Sequence, residues 1–114
     1  MSQARIPRIT HLQFLVLGML RGHVRRGRHV RRELGKHGVR RSGPAFYQMM
    51  ARLEDAGLVT GAYDQKIVAG QIIKERQYTL TPSGLAAWNA TRDFYLTKIA
   101  AFERAGLREG VAHA

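Results

Sequence analysis

The chain has no cysteine, which excludes disulfides and thiolate metal sites. Acids are also scarce: eight Asp and Glu stand against nineteen Lys and Arg, and none occurs before Glu33. So few carboxylates leave little for general acid–base pairs, and no Ser, His and acid are joined in a recognisable catalytic signature. The five histidines include no i, i+4 pair and no His-Glu-x-x-His, so a zinc site lacks its ligands. Gly22 and Gly27 have the spacing of a phosphate loop. Arg28-His29, however, stands where Lys and Ser or Thr must reach phosphate and magnesium, so the match is by chance. No segment approaches about 18 consecutive apolar residues, and Met1-Ser2-Gln3-Ala4 leads into no leader-like apolar run. These absences predict a cytoplasmic protein that is not an enzyme, with no metal, no cofactor and no membrane partner.

What the chain does have is positive charge. Its formal net charge is +11, and from Arg21 to Arg41 there are nine Lys or Arg and one acid, Glu33, with His23, His29 and His37 between them. Such a surface attracts polyanions. Gly22, Gly27, Gly35 and Gly38 interrupt the run, which therefore offers no wide amphipathic face to a membrane. Nucleic acid is the partner class this predicts. At 114 residues the chain has the length of one domain, able to bury roughly two-thirds of its unfolded surface. Its 45% hydrophobic content argues against disorder through most of it.

The stretch Arg40 to Val59 reads as one helix with both ends marked. Pro44 suits a first helical position, with Ser42 or Gly43 before it as cap. Gly57 suits the left-handed position past the helix end, with Leu58 returning onto Leu53. Phe46, Met49, Met50 and Leu53 form one apolar stripe, while Pro44, Gln48 and Ala51 point the other way with Tyr47 and Arg52 at the flanks. Arg40 and Arg41 stand at its positive end. An ordinary core helix and a helix that enters a groove fit this pattern equally.

Residues 1–8, with Arg5 and Arg8, read as a basic arm. Thr10 is placed to cap a first helix running to about Leu20, apolar on nearly every side and therefore covered on more than one. A short second helix, about Arg28 to Lys36, has Val30 and Leu34 inward and Arg31 and Arg32 outward. Leu58 to Gln65 and Ile72 to Leu80 read as two strands joined through Ala69-Gly70-Gln71, with Lys66, Lys74 and Arg76 on the hairpin. Thr81-Pro82 opens a last helix, expected to stop at Gly106 with Leu107 returning onto Phe102. Leu85, Trp88, Arg92, Tyr95, Ile99 and Phe102 follow a helical stripe along it, about 36 Å long. Its far end outreaches so small a domain, which predicts a second copy of the chain packed there.

Three phrases go further than the order of elements. They are Phe14-Leu15-Val16-Leu17-Gly18-Met19-Leu20; Ser42-Gly43-Pro44-Ala45-Phe46-Tyr47 with Arg52-Leu53-Glu54-Asp55-Ala56-Gly57-Leu58-Val59; and Arg76-Gln77-Tyr78-Thr79-Leu80-Thr81-Pro82-Ser83-Gly84. In this order they resemble the PadR-like transcriptional regulators, over about residues 10 to 90. The single long C-terminal helix resembles that family's short-tailed branch. Two phrases depart from its pattern: Gly27-Arg28-His29-Val30 at the second helix, and Glu75-Arg76-Gln77-Tyr78 in place of an Arg-Lys-Tyr-Tyr wing phrase.

The resemblance implies a mostly α fold with a small antiparallel hairpin, a winged helix-turn-helix followed by a dimerisation helix. The expected division is arm 1–8, DNA-binding domain 9–81, dimerisation helix 82–106 and tail 107–114. It implies a homodimeric regulator, usually a repressor, that binds double-stranded DNA in the nucleoid with its third helix in the major groove. Tyr47 corresponds to the family's DNA-contacting tyrosine, and Lys74 and Arg76 fall in its basic wing. The expected DNA-binding residues are Arg31, Arg32, Arg40, Arg41, Ser42, Tyr47, Gln48, Lys66, Lys74 and Arg76. Those expected at the dimer interface are Leu12, Leu85, Trp88, Arg92, Tyr95, Leu96, Ile99 and Phe102. Charge alone would equally suit a nonspecific nucleic-acid-coating or RNA-binding protein. The sequence identifies no operator and no small-molecule effector.

Overall fold

The computed structural model describes Ile6 to Ala112. Of the expected basic arm, residues 1–5 lie outside the described residues. Helix α1 (His11–Met19) starts from a reciprocal cap: the Thr10 hydroxyl accepts from the Gln13 N–H at 3.1 Å, and the Gln13 side chain accepts from the Thr10 N–H at 3.0 Å. Helix α2 (Gly27–Lys36) turns Val30 and Leu34 inward, as their spacing predicts. Helix α3 (Gly43–Asp55) is capped by Ser42, whose hydroxyl accepts from the Ala45 N–H at 3.3 Å. At its other end Gly57 takes φ +74, and the Leu58 N–H donates back to the Leu53 carbonyl at 3.0 Å.

The hairpin is longer than expected and its turn is shorter. β2 (Val59–Val68) pairs in register with β3 (Gln71–Leu80), so only Ala69 and Gly70 form the turn. Both have positive φ, 52° and 77°, which suits the twist of a two-residue hairpin. A third strand escaped the sequence pattern. β1 (Arg25–Arg26) pairs with Tyr78 and Gln77 on the free edge of β3, giving the order β1-β3-β2.

One core joins these elements. Leu17 and Leu20 of the first helical segment, Val30 and Leu34 of α2, Phe46, Met50 and Leu53 of α3, and Val59 and Tyr78 of the sheet are all buried. Full burial of one such side chain contributes about 1.5–3 kcal/mol. Leu12 and Trp88, expected at a dimer interface, pack partly buried against this same core.

Helix α4 (Pro82–Ala112) is attached at its first turn. The Thr81 hydroxyl donates to the Gly57 carbonyl at 2.6 Å and accepts from the Gly84 N–H at 2.9 Å, tying α4 to the end of α3. Trp88 then stacks on Phe14 at 5.3 Å, nearly parallel. The expected stop at Gly106 does not occur: the helix runs on for 31 residues, about 46 Å. Residues 107–112 are therefore helix, and Leu107 stays exposed without folding back onto Phe102. Gly106 disfavours a helix by only about 1 kcal/mol, and no proline follows it to force an end. Among the described residues no helix is long and apolar enough to cross a membrane.

Candidate nucleic-acid interface

The exposed face of α3 carries Pro44, Tyr47, Gln48 and Ala51. Tyr47 is held rather than free. Its ring meets Phe46 edge-on at 5.0 Å and lies over Gly27, where an added Cβ would sit 2.9 Å from a ring carbon and 3.1 Å from the Tyr78 ring. Gly27 is the residue that lets the start of α2 come this close. Tyr78 below is buried, and burial first, then the Glu54 charge, push its phenol up to about 12.

Beside this face the outer side of α2 and the connection to α3 form a basic groove of about 320 Å³, lined by Arg28, Arg31, Arg32, Arg40 and Arg41 with Gly35 and Val39. Arg31 shapes it by donating from Nε to the Arg41 carbonyl at 2.9 Å. Arg28 was missed from sequence, although it stands one helical turn before Arg31 and Arg32. Ser42, as the cap of α3, spends its hydroxyl on the helix.

The arginines divide into two groups. Arg25 donates to the Met19 carbonyl at 3.0 Å and approaches the His29 ring at 3.1 Å. Arg26 brings Nε to 2.9 Å from Glu75, an approach off the N–H axis that acts by charge rather than as an aligned hydrogen bond. Arg76, expected at the DNA, turns instead to Glu54 at 2.6 Å and covers the Tyr63 ring at 4.7 Å. Burial would lower its pKa, but the bond and charge of Glu54 outweigh that and hold it above the ordinary value. Arg25 and Arg76 fasten the sheet to the helices, and Arg26 ties β1 to β3. By contrast, among the described residues no carboxylate pairs with Arg31, Arg32, Arg40, Arg41, Lys66 or Lys74.

Lys66 and Lys74 sit near the wing tip but not on one face. The ladder sets Lys74 opposite Gln65 and Lys66 opposite Ile73, which places the two ammonium groups on opposite sides of the ribbon. At the far side of the molecule, an apolar hollow of about 390 Å³ opens between the start of α1 and the middle of α4, lined by Ile9, Phe14, Tyr95, Leu96 and Ile99 among others. Tyr95, Leu96, Ile99 and Phe102 are exposed, as is Leu85 nearer the start of α4. Arg92 lies between Asp93, at 2.9 Å, and the Trp88 ring, at 5.2 Å. Among the described residues no cluster of three or more His, Asp or Glu is placed to hold a metal.

No family model and no curated protein matches the sequence. Solved structures do match the fold. A PadR family transcriptional regulator from Eggerthella lenta gives a TM-score of 0.66 at 23% identity, covering 82% of this chain and 80% of its own. RosR of H. salinarum gives 0.66 at 25% identity, covering 96% of this chain and 94% of its own. Bacillus subtilis PadR, solved in complex with operator DNA, gives 0.56 at 25% identity over 71% of this chain and 45% of its own. In fold the chain is a PadR-like winged-helix protein, with four helices, a three-stranded antiparallel sheet and a long C-terminal helix.

Proposed function

We propose that the protein is a sequence-specific double-stranded DNA-binding transcription regulator, a repressor that acts as a homodimer on an inverted repeat in the nucleoid. The observation that carries this reading is the juxtaposition of an exposed α3 face with a five-arginine groove lined by no acid, in which Arg28 alone reaches a carboxylate, that of Glu75 at 3.9 Å. In this reading Tyr47 and Gln48 face base edges. Arg28, Arg31, Arg32, Arg40 and Arg41 hold phosphates, which position the protein without reading sequence. Arg76 acts indirectly, by fastening the wing to α3 through Glu54. Residues 9–81 bind the duplex and α4 joins two copies.

The reading as a dimer is supported by the bare apolar side chains of Tyr95, Leu96, Ile99 and Phe102 beside the hollow at α1, a patch that suits a second copy. One α3 reads few base pairs. Two, related by a two-fold axis and set about 34 Å apart, give an inverted-repeat operator. Binding selection on random duplex is the test. The expected result is an enriched palindrome bound at least about 10³-fold more tightly than random duplex. Absence of any enriched motif overturns the regulator reading in favour of nonspecific coating. Tyr95→Glu/Ile99→Glu is expected to sediment as a monomer and bind that palindrome far more weakly; a dimer that survives it moves the interface elsewhere.

A further inference from the structure

A second arginine-lined hollow lies across α2 from the groove. Arg25 and Arg26 of β1, Arg28, His29 and Arg32 of α2, and Glu75 of β3 line this pocket of about 340 Å³. Arg28 and Arg32, four positions apart on one helix, belong to both hollows and form the ridge between them. The two hollows differ in one respect that bears on a ligand. The groove is lined by no acid, whereas the pocket sets a carboxylate among four guanidinium groups. Glu75 Oε2 is buried without an aligned hydrogen bond, Arg26 Nε standing 2.9 Å away off its N–H axis. Oε1 is 3.9 Å from Arg28, beyond hydrogen-bond reach. The side chain keeps 15% of its surface exposed, and with Oε2 enclosed, Oε1 is the oxygen left to the pocket. No side chain caps the first turn of α2, so the helix's positive end adds to the field here.

We propose that this pocket binds inorganic hydrogen phosphate, and that its occupancy weakens the protein's hold on duplex DNA. The guanidinium groups donate to the three bare phosphate oxygens, and the P–OH donates to Glu75 Oε1, the acceptor that the arginines leave open. An anion without a proton, such as sulfate, turns an acceptor towards an acceptor there. A DNA backbone phosphate is a diester and has no proton either. Glu75 therefore excludes the backbone from this pocket and leaves it to the acid-free groove. Because Arg28 and Arg32 serve both hollows, an ion in the pocket draws them away from the groove and cancels positive charge beside it. Both effects have the same sign, a weaker attraction for the backbone. The phosphate site stands on the pocket alone; its coupling to DNA rests on the duplex-binding reading above.

The test compares three dianions on the full chain by calorimetry: inorganic phosphate, methyl phosphate and sulfate, at matched ionic strength. At about pH 8 a phosphate monoester, whose second pKa is about 6, has lost its last proton, so inorganic phosphate alone of the three still carries an O–H. It is expected to bind at least about tenfold more tightly than the other two, the worth of one hydrogen bond to a charged group. Glu75→Gln is expected to bind all three more tightly and to abolish the preference, an outcome that loss of structure would not produce. Equal affinity for the three dianions overturns the site, as does a preference that survives Glu75→Gln. Saturating phosphate is then expected to weaken binding of the selected duplex about fivefold or more relative to sulfate, and the duplex to weaken phosphate binding by the same factor. Phosphate that binds without this effect overturns the coupling. Failure to bind any duplex overturns the regulator reading and leaves the phosphate site standing.

Discussion

Gly84 and Gly106 stand near opposite ends of α4 and meet opposite surroundings. At Gly84, which is buried, an added Cβ would run into the Leu58 carbonyl oxygen and come within 2.7 Å of a Leu80 methyl; at Gly106 it would meet nothing within 4 Å. The near end of the helix is set by tertiary contact: Thr81 on Gly57, Trp88 on Phe14, and Gly18 leaving room for the indole, since a Cβ there would lie 2.8 Å from Trp88 Nε1. Thr91 is the last buried side chain along α4 before the exposed Tyr95, Leu96, Ile99 and Phe102. Within one protomer the far end is thus held by its own backbone hydrogen bonds. One helix contains a part that the fold dictates and a part that only local propensity maintains.

The sharpest way to break the near end is Gly84→Ala. Its clash is with backbone, which cannot move aside as a flexible side chain does, so α4 must shift off the α3–β2 turn. The expected loss is about 3 kcal/mol or more, read from the midpoint of chemical denaturation. A loss under about 1 kcal/mol would mean that the near end is far more compliant than its contacts imply.

Alkaline pH attacks the same region through Tyr78, at the root of the wing. Its phenol ionises at about 12 in the native protein against 10.0 ordinarily, because burial and then the Glu54 charge disfavour the anion. The unfolded chain therefore releases this proton first. The stabilisation is fully present below about pH 10 and is lost as pH rises towards 12, amounting to about 3 kcal/mol at about 1.4 kcal/mol per pH unit. Other groups titrate in this window, so the comparison is with Tyr78→Phe, whose stability should fall less steeply from pH 10 to 12. Parallel pH profiles for the two proteins would remove Tyr78 as the cause.

How much of this was legible in the sequence follows the same division. The third helix was read correctly at both ends because its signals are local: Ser42 and Pro44 open it, Gly57 closes it, and the apolar spacing fits one turn period. The arginine groove was legible only in part: Arg31 and Arg32 stand outward on a helix fixed by Val30 and Leu34, but Arg28, which lines the same groove, was missed. β1 was not legible, because Arg25-Arg26 carries no strand pattern and becomes a strand only by pairing with Tyr78 and Gln77. The role of Arg76 was hidden in Glu54, 22 positions away. The faces of Lys66 and Lys74 depend on hairpin parity, which a two-residue turn fixes and the sequence left open. Gly106 resembles a helix stop in every local respect. What was missing is a left-handed turn or a proline to enforce one.

The smallest expected effect is therefore the most diagnostic of the comparison. Gly106→Ala is the same chemical change as Gly84→Ala at the other end of the helix, and its sign should be opposite. The added methyl meets no neighbour, and alanine favours a helix over glycine by about 0.5–1 kcal/mol because the unfolded backbone loses less freedom. The gain should be local. Amides around the substitution should exchange with solvent more slowly, while the midpoint of global unfolding, set by the core at the near end, should move little. Faster exchange there, or a shortened helix, would show that Gly106 takes a non-helical conformation in solution, and that the far end of α4 stops where the sequence first suggested.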